Sequence, residues 1–382
     1  VEENLKKNIK IGIDALGIND EGGGRTSILH YLNMLTSQSY DWEFIIYLSE
    51  HEQSLNKPNI KQVILPFKRG IIARLFMQLF LPFEIIFKGI DLIHFTKGQA
   101  SLVPKAKTVL TIHDLTIVFH PDIHSKLSAF YWKVIQPWIT RKMDAVFAVS
   151  INTAKDIIEQ YKINPEKITV IYNASQFYDL VNNNKLLPVP QEIQDEKPES
   201  YILYVGVLAL KKNLETLVRA IDLLVKRHAD FPPLVLVGPR YSESDAGYII
   251  DLVDALNLSE YIIYKGKVKK EELLRIYKNA LIFVFPSIHE GFGIPCLEAM
   301  QLGVPLIASK TSGIIEVVGD AGILIDEYQS PEVWADAIES LFNDRFLRSQ
   351  LIQKGLLRSE DIHSRHSPVE AINIYKTLLS IQ

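Results

Sequence analysis

Short apolar runs recur along the whole chain, with stretches of helical apolar spacing between them. The first group lies at 9–15, 43–48, 61–65, 91–95, 108–112, 144–149 and 168–171. Their brevity and β-branched content predict strands of a parallel sheet covered on both faces. The segments 25–36, 126–141 and 152–161 between them are long enough for crossover helices. At 181–199 the pattern dissolves into VNNNKLLPVPQEIQDEKPE, a polar, proline-containing linker. Apolar runs resume at 201–205, 234–237, 261–264, 281–285, 305–308 and 322–325, with helical patterns at 214–227, 271–279 and 331–342. The reading is an α/β chain of two Rossmann-like, doubly wound domains, 1–180 and 200–367, on either side of that linker. Two such domains facing each other create an interdomain cleft, and open α/β sheets take their ligands at the carboxyl ends of strands.

Composition narrows the classes. A chain of 382 residues that is 47% hydrophobic and 23% charged is folded rather than disordered. The single cysteine, Cys296, excludes an intramolecular disulfide and a cysteine-cluster zinc site, and it reads as a packed thiol. A net charge of -4 argues against a general nucleic-acid binder. The first ten residues, VEENLKKNIK, lack the apolar core of a signal peptide, so the cytoplasm is the expected location.

Charge changes the picture in one place. The segment 71–87 is nearly apolar, but Arg74, Gln78, Pro82 and Glu84 interrupt it and it is short for a membrane span. Between 60 and 107, Lys61, Lys68, Arg69, Arg74, Lys88, Lys97, Lys105 and Lys107 face only Glu84 and Asp91, so eight minus two leaves a local charge of +6. Together with Phe76, Phe80, Phe83 and Phe87, this fits peripheral contact with the inner membrane face through 68–88. It fits equally a sheet-covering helix with a solvated basic rim.

Four clusters at predicted strand ends carry the candidate chemistry. Gly22, Gly23 and Gly24 follow the first strand; glycines let a backbone approach a ligand closely, although the spacing is not the dinucleotide fingerprint. His113 with Asp114 ends the strand at 108–112, where an imidazole beside a carboxylate can orient a hydroxyl or sugar oxygen. Lys211 and Lys212 stand at the start of a helix, a setting suited to a diphosphate. Lys212 is expected to be exposed, so that its loss would spare the fold. The fourth cluster is PSIHEGFGIPCLEAM at 286–300. Pro295 suits the first position of a helix, which leaves Gly291, Phe292, Gly293 and Ile294 on a loop and places Glu298 in the first helical turn. Glu290 on the loop and Glu298 on the helix can then bracket one ligand, a sugar at one end and a ribose at the other. Plainer roles exist for each part: a turn, a loop histidine, solvated lysines, a carboxylate complementing the helix dipole.

These residues resemble the retaining, nucleotide-sugar-dependent glycosyltransferases of family four, which have the GT-B fold. EGFGIPCLEAM at 290–300 is similar to that family's E-x7-E motif. VGVLALKKNLETL at 205–217, LVLVGP at 234–239, LIFVFPS at 281–287, GVPLIAS at 303–309 and EVVGDAGILI at 316–325 resemble further segments. So do GGGRTSILHYL at 22–32, LTIHDL at 110–115 and AVSINTAKDIIEQY at 148–161. The resemblance implies hexose transfer from a nucleoside-diphosphate sugar, UDP-glucose first and GDP-mannose second, to a glycan or lipid-linked acceptor of the cell envelope. Glu290 would bind donor-sugar hydroxyls and Glu298 the ribose. Lys212 would bind the diphosphate, helped by the N–H groups of Gly293, Ile294 and Leu297, while His113 would lie near the sugar and the Gly22–Gly24 loop would close over the diphosphate. The last helix, within 368–382, would pack back onto the first domain. No cofactor and no metal is implied, and no DxD-like pair stands at a strand end to hold one. One departure is Val207, where many members carry Arg; Lys211 and Lys212 together would supply that charge, without arginine's bidentate fork. GT-B-like phosphorylases and epimerases share the architecture, and Val207 also suits a sugar-nucleotide binder without turnover.

Overall fold

The computed structural model describes residues 9–16, 18, 23–37, 42–66, 76, 78–102, 105–178, 201–240, 243–365 and 368–381. The linker expected at 181–199 lies outside them, as do Gly22, Lys68, Arg69 and Arg74. The chain divides into two compact units, Val1–Asn173 with His366–Gln382, and Ala174–Arg365.

The first unit holds seven parallel strands: β1 (Ile9–Asp14), β2 (Trp42–Leu48), β3 (Ile60–Ile64), β4 (Leu92–Phe95), β5 (Lys107–Ile112), β6 (Ala145–Ala148) and β7 (Ile168–Val170). Their order is β3-β2-β1-β4-β5-β6-β7, so the winding reverses between β1 and β4. Side chains alternate between two separate cores. Ile11, Ile13, Phe44, Ile46, Val109 and Phe147 point to one face, where Ile28, Leu32 and Leu35 of the helix Gly23–Ser37 meet them. Ile45, Tyr47, Ile93, Phe95, Leu110 and Val146 point to the other, under the helices Leu81–Lys88, Gln136–Lys142 and Ile151–Tyr161. Burial on both faces is why these strands read as continuous apolar runs.

The helix Pro368–Leu379 completes the first of these cores. Ala371, Ile372 and Tyr375 are buried there among strand residues. The Tyr375 hydroxyl lies 2.7 Å from His94 Nδ1 and 3.3 Å from the Tyr31 hydroxyl, and His94 Nε2 is 2.7 Å from the Thr111 hydroxyl. Burial pushes the His94 pKa down to about 3, with His113 adding to the effect, so this buried chain of hydrogen bonds is neutral at ordinary pH.

The second unit contains β8 (Ile202–Val205), β9 (Leu234–Val237), β10 (Ile262–Gly266), β11 (Ile282–Phe285), β12 (Leu306–Ser309) and β13 (Ile323–Ile325). Their order is β10-β9-β8-β11-β12-β13, all parallel, with the reversal between β8 and β11. The segments that follow β8 and β11 therefore emerge at the switch point of the sheet, where open α/β sheets bind ligands. No described helix is long and apolar enough to cross a membrane.

Candidate active site

Two loops meet at that switch point. The first leaves β8 and forms a tight 3-10 turn, Leu210–Lys212, closed by Asn213 in the left-handed region at φ 52°. The Asn213 side chain holds the turn by donating to Tyr328 O at 2.8 Å and accepting from the Thr216 hydroxyl at 2.7 Å. The second loop leaves β11 and is fastened to the first: Ile288 N donates to Lys211 O at 3.1 Å. Its far side is pinned by the helix Ser312–Val318, where Gly313 N donates to Glu290 O at 3.0 Å. A Cβ at Gly313 would stand 2.3 Å from Gly291 O, so only glycine permits this approach. Gly293, at φ 98°, then turns the chain into the helix Ile294–Gln301.

These anchors deliver Lys212 against Glu290. The Lys212 ammonium forms an ion pair with Glu290 Oε1, which also accepts from the Ser287 hydroxyl at 2.6 Å. It sits 5.3 Å from the centroid of the Phe285 ring. Burial pushes the Glu290 pKa up, but the Lys212 and Lys211 charges and the hydrogen bonds from Lys212 and Ser287 outweigh it, and the carboxyl lies below its ordinary value. Contrary to the sequence expectation, Lys212 is not an exposed lysine; it is 9% accessible. The turn sets the ammonium over the Phe285 ring and against one partly buried carboxylate. A ligand carrying more negative charge than one carboxylate competes directly for that ammonium.

Glu298 occupies a different environment. The helix begins at Ile294, so Glu298 lies in its second turn, not the first, and Pro295 is its second residue. Its Oε1 accepts from Gln176 Nε2 and its Oε2 from the Tyr277 hydroxyl, each at 2.9 Å. Burial pushes its pKa up to about 7 against those two hydrogen bonds. Leu297, expected to lend its N–H to a ligand, already donates it to Gly293 O at 3.3 Å; the N–H groups of Gly293 and Ile294 open the helix, where no intrahelical acceptor exists. Phe292 and Cys296 are buried beneath the loop.

The Glu298 pKa has a measurable consequence. The folded value lies above the unfolded value of 4.5, so the folded state holds this proton more tightly. Stability should therefore fall as pH rises from about 4.5 to about 7, by on the order of 3 kcal/mol from this group. The variant Glu298→Gln, whose amide pairs with the same partners, should melt at higher temperature than the unsubstituted protein at pH 8 and at nearly the same temperature at pH 4.5. Equal melting shifts at both pH values would remove Glu298 as the source.

In the first unit, taken by itself, His113 stands at the carboxyl end of β5. Its Nε2 donates to Thr96 O at 2.8 Å, which leaves Nδ1 as the acceptor of the ring. Burial lowers its pKa, aided by Lys97 and opposed by the Thr96 carbonyl and Asp114. Asp114 itself caps a turn, accepting from Thr116 N at 2.9 Å. A pocket here is lined by His113 together with Tyr31, His94, Thr96, Thr111 and Asn173. Gly23 and Gly24 are not loop residues: they form the first turn of the helix Gly23–Ser37.

Sequence reasoning missed several residues. Asp14 ends β1 at the switch point of the first sheet, accepts from Leu16 N at 3.1 Å, and is pushed up to about 7 by burial. Its place at a strand end was the available signal. Ser287, Gln176 and Tyr277, which hold the two glutamates, had none, because their partners are set by folding. Among the described residues, no group of three His, Cys, Asp or Glu side chains gathers as metal ligands would.

Comparison with known proteins gives a consistent picture. Residues 189–358 match the family model described as glycosyl transferases group 1, and residues 21–174 match that of glycosyltransferase family 4. The chain is 32% identical over 273 residues to the O-antigen chain mannosyltransferase B of Escherichia coli, covering 71% of each protein. It is 28% identical over 234 residues to the O-antigen chain mannosyltransferase RfbU of Salmonella typhimurium, covering 61% of this chain and 60% of that one. The sucrose-phosphate synthase of Thermosynechococcus elongatus superposes with a TM-score of 0.76 at 20% identity, over 98% of this chain and 100% of that one.

Proposed function

Since this chain belongs to the family 4, group 1 glycosyltransferases, we propose that it transfers a mannosyl residue from GDP-mannose to a growing cell-envelope polysaccharide. It has the GT-B fold, and it is a hexosyltransferase. Mannose displaces glucose as the proposed sugar because the relatives described above are mannosyltransferases by name. The chemical reading rests on the Lys212–Glu290 pair at the switch point, its lysine buried and its glutamate partly so, beside the N-terminus of the helix Ile294–Gln301.

In this reading the GDP diphosphate takes the Lys212 ammonium from Glu290. The freed Glu290 carboxylate then accepts from mannosyl hydroxyls, and Glu298 accepts from the ribose. As the bond from sugar C1 to the β-phosphate oxygen breaks, Lys212 and the N–H groups of Gly293 and Ile294 stabilise the negative charge that develops. The acceptor hydroxyl attacks C1 on the same face and gives its proton to a departing phosphate oxygen, so configuration is retained without an enzymatic nucleophile. Lys211, whose charge already lowers the Glu290 pKa, supplies part of what Val207 lacks. In the first unit, His113 keeps Nδ1 as a hydrogen-bond acceptor, suited to a hydroxyl of the saccharide acceptor.

The acceptor in this proposal is a saccharide, lipid-linked at the inner membrane face, with 68–88 as the contacting segment. Phe80, Phe83 and Phe87 support that contact, since all three are exposed while Leu81 and Ile85 of the same stretch are buried.

A thermal-shift panel of GDP-mannose, UDP-glucose and ADP-glucose tests the donor. At 100 times its dissociation constant the true donor should add about 2.7 kcal/mol of stability. Stabilisation by UDP-glucose and none by GDP-mannose would overturn the donor assignment. Binding of GDP-mannose with neither hydrolysis nor transfer would favour the binder without turnover.

A further inference from the structure

One helical layer of the first unit is unusual on its outer side. The segment 126–142 runs as Lys126–Phe130, a π turn at Tyr131–Ile135 and Gln136–Lys142. Ala129, Gln136, Ile139 and Thr140 are buried. Every exposed residue of the segment is either apolar (Leu127, Phe130, Val134, Ile135, Trp138) or cationic (Lys126, Lys133, Arg141, Lys142). No Asp or Glu occurs in it, so it carries +4 in a chain whose net charge is -4.

Geometry sharpens this face. Phe130, Val134 and Trp138 recur four residues apart through the π turn and are all exposed, so they share one side of the segment. The neighbouring helix Leu81–Lys88 belongs to the same layer: Leu81 and Ile85 enter the same core as Ile139 and Met143. Its outward residues Phe83, Ile86 and Phe87 are also exposed, Phe87 at 84%. Two helices on one face of one sheet thus turn aromatic and aliphatic side chains away from the protein.

We infer that this face, with 126–142 at its centre, docks on an anionic lipid bilayer. The occupant follows from charge complementarity: 126–142 has four cations and no acid, and the one acid of the helix Leu81–Lys88, Glu84, is paired with Lys88, so the face repels a basic partner and attracts a surface of phosphate headgroups. Aromatic side chains between them suit the headgroup boundary, where one side is apolar and the other wet. The inference deepens the membrane contact proposed above, adding a second helix to it and a defined orientation.

Trp138 is the test probe. Of the four tryptophans, Trp42 and Trp334 are buried and Trp132 is partly buried against the core, whereas Trp138 is 51% exposed. The full chain should float with vesicles containing phosphatidylglycerol and not with pure phosphatidylcholine, and high salt should release it. On binding, its emission should shift to the blue and be quenched by brominated acyl chains; in Trp138→Phe that quenching should vanish. Replacing Lys126, Lys133 and Lys142 together by Gln should weaken partition roughly 100-fold. GDP-mannose hydrolysis without vesicles should be unchanged in that triple variant. Absence of flotation, flotation without Trp138 quenching, or a concentration-dependent dimer that Phe130→Ser abolishes would each overturn the inference, the last by assigning the face to a second copy. A triple variant that loses hydrolysis would place the lysines in the reaction and overturn it too. If wild type hydrolyses no GDP-mannose, the donor reading fails while flotation still judges the surface.

Discussion

Lys212→Ala is expected to lower turnover of the sugar donor about 100-fold, the usual cost of losing one preorganised donor to developing charge. It is also expected to destabilise the protein by about 1–2 kcal/mol, because Glu290 would be left as a partly buried carboxylate without its ammonium. The two effects separate in a second variant. Adding Glu290→Gln removes the stranded charge and should restore most of the melting temperature. Affinity for free GDP should remain low in that double variant, since a neutral amide does not replace the lost positive charge. Calorimetry with GDP checks both. Wild-type GDP affinity in Lys212→Ala would refute the diphosphate role, and affinity that returns with stability in the double variant would reduce Lys212 to a structural part.

The two glutamates should part company in the same measurement. Glu298→Ala should weaken GDP binding about 5-fold, since the ribose contact exists with or without a sugar and a hydrogen bond to a largely neutral carboxyl contributes about 1 kcal/mol. Glu290→Ala should leave GDP affinity equal or tighter, because Lys212 no longer has to be drawn from a carboxylate before it meets phosphate. Transfer should nevertheless fall by at least about 100-fold in Glu290→Ala, as its partner is the sugar. Equal losses of GDP affinity in the two variants would sink the assignment of separate roles.

The strands were readable from sequence because both sheets are covered on both faces, which forces apolar residues at nearly every strand position. Some helices were not. Residues 345–364 form a long helix whose buried positions include Leu351, Gly355, Ser359 and Ile362. Gly355 lets it approach the helix Ile294–Gln301 closely, and a Cβ there would meet Met300 at 3.3 Å. Small residues at half of those contacts erase the apolar stripe that marks a helix in sequence. The candidate site shows the same division. The E-x7-E spacing and the lysine pair are local and visible. The burial of Lys212 is not, since it depends on Glu290 78 positions away and on a ring from another strand. The start of the helix Ile294–Gln301 one residue before Pro295 moved Glu298 from the fourth helical position to the fifth, just past the first turn, and no composition rule fixes a boundary that finely.

The helix Pro368–Leu379 bears on how the protein is made. Synthesis runs from the N-terminus, and domains generally fold as they emerge. The first unit cannot do so fully. Ala371, Ile372 and Tyr375 leave the ribosome after all of the second unit, yet they close the core over Ile11, Phe44 and Phe147 and satisfy His94. Until then the nascent first unit carries an uncovered apolar patch, and the His94 imidazole lacks its Tyr375 hydroxyl partner. The unit begun first is therefore finished last, and a ribosome stalled before residue 371 would display a chain that chaperones should hold.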